Sequence, residues 1–187
     1  EGINKELIVL SKDGLSIFDS SSFSFSQIPL ESEPKGVLLN PTNKTYWVFT
    51  RQSGIYVLDN ALKTTNHFEF DPLNPLSIST SKFEQFSGSE ILFDEKSGKT
   101  IIATKNGLNV YDENLNAFKR FFKGNKTTFT TNNIIAILPR EDNKIGVITQ
   151  NEYVDFYPEE NRFESIIHFE TAVESALLIS SDKILLN

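Results

Sequence analysis

The chain has 187 residues, 39% of them hydrophobic and 16 of them phenylalanine, so it can bury a substantial core and is not intrinsically disordered. Its net charge of −7 argues against a nucleic-acid partner or an anionic membrane surface, and the absence of cysteine excludes disulfides and thiolate metal sites. No apolar run approaches the roughly 20 residues that span a bilayer, so we expect no segment inserted in a membrane.

A short phrase recurs along the chain: an apolar strand, a polar turn that ends in glycine, and a second strand. A unit of roughly 40 to 50 residues that repeats a β-hairpin is typical of a propeller or another stacked array. The copies occupy residues 7–19, 45–59, 99–112 and 144–157.

Each copy is part of a longer pattern of four strands. A leading apolar run is followed by a polar turn that closes on a lysine, and a strand rich in β-branched and aromatic residues comes next. The third strand follows a glycine, and the fourth is more polar, with aromatic residues on one side. We therefore predict an all-β fold of antiparallel four-stranded blades, a β-propeller segment. The closing lysines are Lys5, Lys44, Lys99, Lys144 and Lys183.

The pattern divides the chain into repeat units at about 1–35, 36–89, 90–133 and 134–173, with a partial unit at 174–187. Both ends supply a second strand, which favours a segment of about four to five blades from a larger propeller. In the fourth copy Glu152 replaces the glycine, so we expect that turn to be rebuilt. Residues 71–90 form a long connection, which is either functional or a decorated surface loop, and we favour the loop.

Little in the sequence indicates catalysis. The two histidines, His67 and His168, fall in separate blades, and the carboxylates concentrate in turns such as Asp94-Glu95 and Glu141-Asp142. A glycosidase needs two carboxylates that face one sugar, and nothing in the sequence places a pair in that way. We expect no enzyme activity, no metal and no cofactor.

Surface recognition is the remaining possibility. In a propeller, the turns between second and third strands gather on one face, where charged and amide side chains can hydrogen-bond a sugar or a peptide. Arg51 and Lys105 are suited to the carboxylate of an acidic sugar. The alternative is that any hairpin tip is polar, whether or not it binds anything. The candidates are Lys12, Asp13, Arg51, Gln52, Lys105, Asn106, Gln150 and Asn151.

The segment from Phe93 to Asp112 resembles the two-component regulator propeller repeat, whose unit runs from an apolar strand through an acidic-glycine turn to a Gly-Leu step and an aromatic-Asp pair. Gly107-Leu108 and Tyr111-Asp112 carry the match, and Trp47 is the sole tryptophan where the family often has one per blade. The resemblance implies the periplasmic sensing region of a Bacteroidetes hybrid histidine kinase, which recognises carbohydrate breakdown products.

Two hypotheses follow for function. The first is a non-enzymatic, extracytoplasmic ligand-sensing segment of a hybrid two-component regulator that responds to an oligosaccharide or another small molecule. Its other partners would be further blades or domains of the same polypeptide, and a second copy in a homodimeric receptor. The alternative is a structural or protein-interaction propeller in a secreted or cell-envelope assembly.

Overall fold

The chain folds into strands joined by short turns and by longer connections between sheets. A computed structural model describes residues 7–84, 86–124, 129–140, 143–180 and 183–187. These ranges contain strands and no helix, and so no helix with the length and hydropathy that crossing a membrane requires. The predicted turn at Asn4-Lys5 and the Glu141-Asp142 pair lie outside the described residues.

The strands form antiparallel sheets in which neighbours along the chain are neighbours in the sheet. The first sheet contains β1 (Leu7–Ser11), β2 (Gly14–Asp19) and β3 (Ser24–Pro29). The second contains β4 (Pro34–Asn40), β5 (Thr45–Thr50), β6 (Ile55–Leu58) and β7 (Thr64–Phe68). The third contains β8 (Ile91–Asp94), β9 (Lys99–Thr104), β10 (Gly107–Asp112) and β11 (Ala117–Phe121).

The fourth and fifth sheets continue this order. The fourth contains β12 (Ile134–Pro139), β13 (Ile145–Thr149), β14 (Glu152–Tyr157) and β15 (Arg162–His168), and the fifth contains β16 (Ala176–Ser180) and β17 (Lys183–Leu186). The predicted all-β fold of four-stranded antiparallel blades is confirmed. The limits of the repeat units stay a prediction, although β4 begins at Pro34, ahead of the unit start expected at residue 36.

A hydroxyl side chain at the end of the second strand closes the turn to the third strand. Thr50 Oγ1 donates to the carbonyl oxygen of Gly54 at 2.9 Å, and Thr104 Oγ1 donates to that of Gly107 at 2.8 Å. Ser11 has the same role in the first sheet. Both threonines are buried, where a carbonyl without a partner would destabilise the fold.

The glycine of the turn is required by its backbone and by its surroundings. Gly107 has a φ of +109°, and a Cβ built there would lie 2.3 Å from the carbonyl oxygen of Phe121 on the fourth strand. In the fourth copy Glu152 has no positive φ, and Thr149 Oγ1 accepts hydrogen bonds from the N–H groups of Asn151 and Glu152. The predicted rebuilding of this turn is confirmed.

Aspartates at the end of the third strand close the turn to the fourth. The carboxylates of Asp19, Asp59 and Asp112 each accept the backbone N–H two residues later, at 2.8 to 3.0 Å. Such Asx turns explain why an aspartate recurs at the end of the third strand. Hydrogen bonds from the Ser21 and Ser22 side chains and from the Ser21 backbone lower the pKa of Asp19 to about 2.

The chain divides into two compact units, each with its own core. Unit 1 comprises residues 1–70 and 80–88, and unit 2 comprises residues 71–79 and 89–187. Alternate side chains of successive strands fill each core, as expected of sheets with a buried face. The unit 1 core contains Leu15, Ile17, Tyr46, Val48, Tyr56 and Leu58. The main unit 2 core includes Ile101, Leu108, Val110, Phe121, Ile137, Val147, Val154 and Phe156.

The long connection between β7 and β8 is packed rather than decorative. Within unit 2, Ile78 is fully buried and the Ser79 N–H donates to Asn109 Oδ1 at 2.8 Å. Within unit 1, Phe83 is buried against Phe49, with ring centroids 5.0 Å apart. The expectation of a merely decorated surface loop is therefore wrong for these residues. The sequence does not predict this packing, because the apolar residues of this Pro- and Ser-rich stretch are isolated and do not follow the periodic pattern of a strand.

We expect Gly107→Ala to lower the free energy of unfolding by more than about 2 kcal/mol, because the new Cβ meets a backbone carbonyl at a φ that L-residues rarely adopt. Gly98→Ala is the matched control: its φ is +65° and no atom lies within 4 Å of a built Cβ. It should cost about 1 kcal/mol from backbone strain alone. Urea unfolding of both variants tests this, and equal losses would contradict it.

Candidate functional site

The candidate binding residues lie in the turns between second and third strands, as the sequence predicted. All are exposed except Gln150, which is half-buried. Unit 1 holds Lys12 and Asp13 between β1 and β2, and Arg51 and Gln52 between β5 and β6; unit 2 holds Lys105 and Asn106 between β9 and β10, and Gln150 and Asn151 between β13 and β14.

In unit 2 these turns are held by the connections between sheets. The Gly107 N–H donates to Asn132 O at 2.9 Å, and the Gln150 N–H donates to Asn133 O at 3.2 Å. The Asn106 side-chain amide donates to Ser79 O at 3.3 Å. Asn106 therefore helps to position a connection, a structural role that the sequence did not suggest.

In unit 1 the turn between β5 and β6 is held from two sides. The Arg51 N–H donates to Glu33 O at 2.8 Å, and the Gln52 N–H donates to Ser32 Oγ at 3.0 Å. On the other side, the Gly54 N–H donates to Ser81 O at 2.8 Å. Because backbone groups make these bonds, the side chains of Arg51 and Gln52 project from a fixed frame.

Glu33 organises the charges around this turn. Its carboxylate lies 3.3 Å from Arg51 Nη1 and 2.7 Å from Lys35 Nζ. The hydrogen bond from Lys35 lowers the pKa of Glu33, and the positive charges of Arg51 and Lys12 act in the same direction. Lys12 and Arg51, from two neighbouring hairpins, therefore act on one carboxylate. Glu33 itself lies in the connection between β3 and β4, outside the hairpin tips to which the predicted candidates belong.

A groove of about 340 Å³ opens beside this turn. Arg51, Gln52, Lys82 and Glu84 line it. Its size lies within the range of small-molecule sites, roughly 300–1,000 Å³. The lining offers guanidinium and ammonium donors, an amide that both donates and accepts, and a carboxylate acceptor. This set suits a ligand with several hydroxyl groups and a negative charge. We call the groove lined by these four residues the tip groove.

Two of the four residues that line the tip groove are predictable from the sequence. Arg51 and Gln52 were predicted from their place in a hairpin, whereas Lys82 and Glu84 belong to the long connection. Nothing in the sequence indicates that this connection packs against the hairpin tip, where the Phe83 N–H donates to Thr50 O.

The histidines are placed on separate sheets. His67 Nε2 lies 2.7 Å from Ser53 O, and its ring stacks on Tyr56 with centroids 3.9 Å apart. His168 Nδ1 lies 3.4 Å from Glu152 Oε2. Within the part of the chain that the structure describes, no group of three or more His, Asp or Glu side chains is arranged to hold a metal ion.

Glu152 is the one fully buried carboxylate among the described residues, and it holds the connection that leads into β12. Its two oxygens accept the N–H of Thr130 at 2.7 Å and the Thr130 hydroxyl at 2.9 Å. The residue that interrupts the glycine pattern therefore has a positioning role. The sequence identified the departure but not its partner.

Comparison with known proteins is informative at the level of structure alone. No family model matches the sequence, and no curated protein matches it. Among solved structures, the chain is similar to the extracellular domain assigned to a hybrid two-component system of B. thetaiotaomicron, with a TM-score of 0.76 and 16% identity. The match covers 100% of this chain and 26% of that one.

Two further structures show the same fold. A second extracellular domain assigned to a B. thetaiotaomicron hybrid two-component system matches with a TM-score of 0.71 and 13% identity, over 100% of this chain and 26% of that one. PorZ, a surface component of the type-IX secretion system of Porphyromonas gingivalis, matches with a TM-score of 0.67 and 10% identity, over 100% and 24%. The chain has the fold of a propeller segment and spans about a quarter of these neighbours.

Replacing the buried carboxylate should weaken the fold around β14. We expect Glu152→Ala to lower the free energy of unfolding by about 2–3 kcal/mol, because it leaves the Thr130 N–H without its acceptor. Glu152→Gln keeps an acceptor and should cost less. Glu159→Ala, at an exposed position, is the control and should change stability by less than about 0.5 kcal/mol. Equal effects of Glu152→Ala and Glu159→Ala in urea unfolding would contradict the role of Glu152.

Proposed function

We propose that the chain is a ligand-recognising segment of an extracytoplasmic sensor, and that it binds a carbohydrate-derived ligand with negative charge in the tip groove. The observation that carries this proposal is the convergence of Arg51, Gln52, Lys82 and Glu84 on one groove beside an anchored turn. The fold similarity to extracellular domains of two-component systems supports a sensing role.

The chemistry of the tip groove favours an acidic sugar. A guanidinium presents five N–H donors in a planar fork that matches a carboxylate, and Glu33 orients this fork without occupying all of its donors. The Gln52 amide can donate to a sugar hydroxyl or accept from one, and the Glu84 carboxylate can accept from one. Around the tip groove the cations Arg51, Lys82, Lys12 and Lys35 outnumber the carboxylates of Glu84 and Glu33, which favours an anionic ligand in a chain of net charge −7.

The proposed role is binding, not catalysis. The signal would be conformational: the ligand favours one arrangement of the receptor because it binds that arrangement more tightly. Further blades or domains of the same polypeptide, and a second copy in a homodimer, would complete the receptor. The long connection takes part through Lys82 and Glu84, so ligand binding is linked to its position.

A second candidate is a protein-interaction propeller of a secreted or envelope assembly. The fold similarity to PorZ supports it. So does an aromatic cluster at the turn between β2 and β3, where Phe23 is 81% and Phe25 is 71% exposed, both beside Phe18. Exposed aromatic clusters are typical of contact surfaces.

We expect an oligogalacturonide to bind the protein more tightly than its methyl ester, which has the same ring structure without the charge. Arg51→Gln should weaken oligogalacturonide binding by about 10- to 150-fold, the value of a hydrogen-bonded pair of charged groups. Arg51→Lys should restore part of the loss. Isothermal titration calorimetry measures the affinity of the unchanged protein for both compounds and the affinity of each Arg51 variant for the oligogalacturonide.

The matched control is Lys63→Gln, which removes one exposed positive charge of unit 1 in the turn between β6 and β7. It should leave binding within about twofold, since a single distant surface charge contributes little. Equal binding of the oligogalacturonide and its ester, or unchanged binding by Arg51→Gln, would overturn the acidic-sugar proposal. Absence of saturable heat with the oligogalacturonide would overturn it as well.

A further inference from the structure

A second, larger cavity lies in unit 2, away from the hairpin tips. It has a volume of about 600 Å³ and is bounded by β11, by the ends of β9 and β10, and by two segments that pack beside them. One is the connection at Pro75 and Leu76, where Leu76 O accepts the Phe118 N–H at 2.9 Å. The other is the turn between β14 and β15, at Asn161.

The walls of this cavity are apolar, and several of them are solvent-exposed. Leu115 is 73% exposed, Leu76 is 58% and Phe122 is 41%, while Phe118 and Val110 are buried. Large apolar side chains grouped around one concavity are typical of a surface that buries a ligand.

Cations surround the apolar walls. Lys99, Lys119 and Arg120 line the cavity, against the single carboxylate of Asp112. The Asp112 carboxylate accepts the N–H groups of Asn114 and Leu115 in its own turn, which partly satisfies its charge.

Neutral groups hold the two lysines in place, and a backbone carbonyl contacts the arginine. Lys99 Nζ donates to Pro158 O at 2.6 Å, and Lys119 Nζ lies 5.2 Å from the centroid of the Phe121 ring. Arg120 Nη2 donates to Asn74 O at 3.2 Å. The carbonyl oxygen of Pro158 and the ring of Phe121 orient Lys99 and Lys119 without neutralising their charge. These two lysines outnumber the one carboxylate of the lining, that of Asp112, so the rim is positive in a chain whose net charge is negative.

We propose that this cavity binds a small anionic amphiphile: a single carboxylate on an apolar chain or ring. The apolar part would lie on Leu76, Leu115 and Phe122, and the carboxylate would lie at the rim with Lys119. Charge complementarity selects the anion over a neutral or cationic ligand of the same shape. This site is independent of the tip groove and needs no sugar.

Three ligands of one chain length test the proposal: octanoate, 1-octanol and octylammonium, each below the concentration at which it self-associates. The protein is titrated and followed by two-dimensional amide NMR. We expect octanoate to bind saturably with shifts around β11 and residues 74–76, and at least about tenfold more tightly than the other two, because only octanoate pairs with the cationic rim.

Two variants remove the two features separately, each with a matched control. Lys119→Gln removes a rim charge and Leu115→Gln removes an exposed apolar wall; each should weaken octanoate binding by about 3- to 10-fold. Lys123→Gln and Leu73→Gln change the same residue types at exposed positions that do not line the cavity, and should leave binding within about twofold. All four residues are exposed, so the fold is retained.

Three results would overturn the proposal. Binding of 1-octanol as tight as that of octanoate would show that the cations play no part. No saturable octanoate shift, or equal weakening by the control variants, would show that the cavity is not a site.

Discussion

The hairpin between the second and third strands is the constraint on which the candidate site depends. A buried threonine hydroxyl closes the turn from inside, and backbone hydrogen bonds attach it to the adjoining connection, as at Thr50 with Phe83 and at Gly107 with Asn132. Such bonds satisfy groups that the strand ladders leave unpaired. They also determine where a connection runs, and hence which of its side chains reach the tip. Lys82 and Glu84 lie in the tip groove for this reason.

The same architecture tolerates a change of chemistry when a new interaction compensates for it. Where the turn between β9 and β10 uses glycine, the turn between β13 and β14 uses Glu152, whose buried carboxylate binds Thr130 in the connection. In the third sheet the connection is held instead by Asn109, through Ser79. A buried polar group is stable only when it is fully hydrogen-bonded, so each such pair fixes one connection in one position.

Strands and turns were predictable from the sequence because they are local. Alternating apolar residues, the glycine that begins β10 and the aspartate that ends it each act within a few residues. The tip groove was only half predictable, because Lys82 reaches it through a connection whose polar composition gives no period. The second cavity was not predictable at all, since it depends on how Leu76 and Asn161 meet β11 in the folded unit. Irregular segments that pack against distant parts of the chain show no hydrophobic periodicity from which that packing could be predicted.

The anchored tip of unit 1 is the proposed recognition surface for a charged sugar. The most direct test is an amide NMR map of the protein titrated with an oligogalacturonide. Binding at the tip should shift the amide signals of Arg51, Gln52 and Gly54 and of the connection residues 32–33 and 81–84, with no shift at the cavity beside β11. Shifts confined to other strands, or spread evenly over both units, would contradict it.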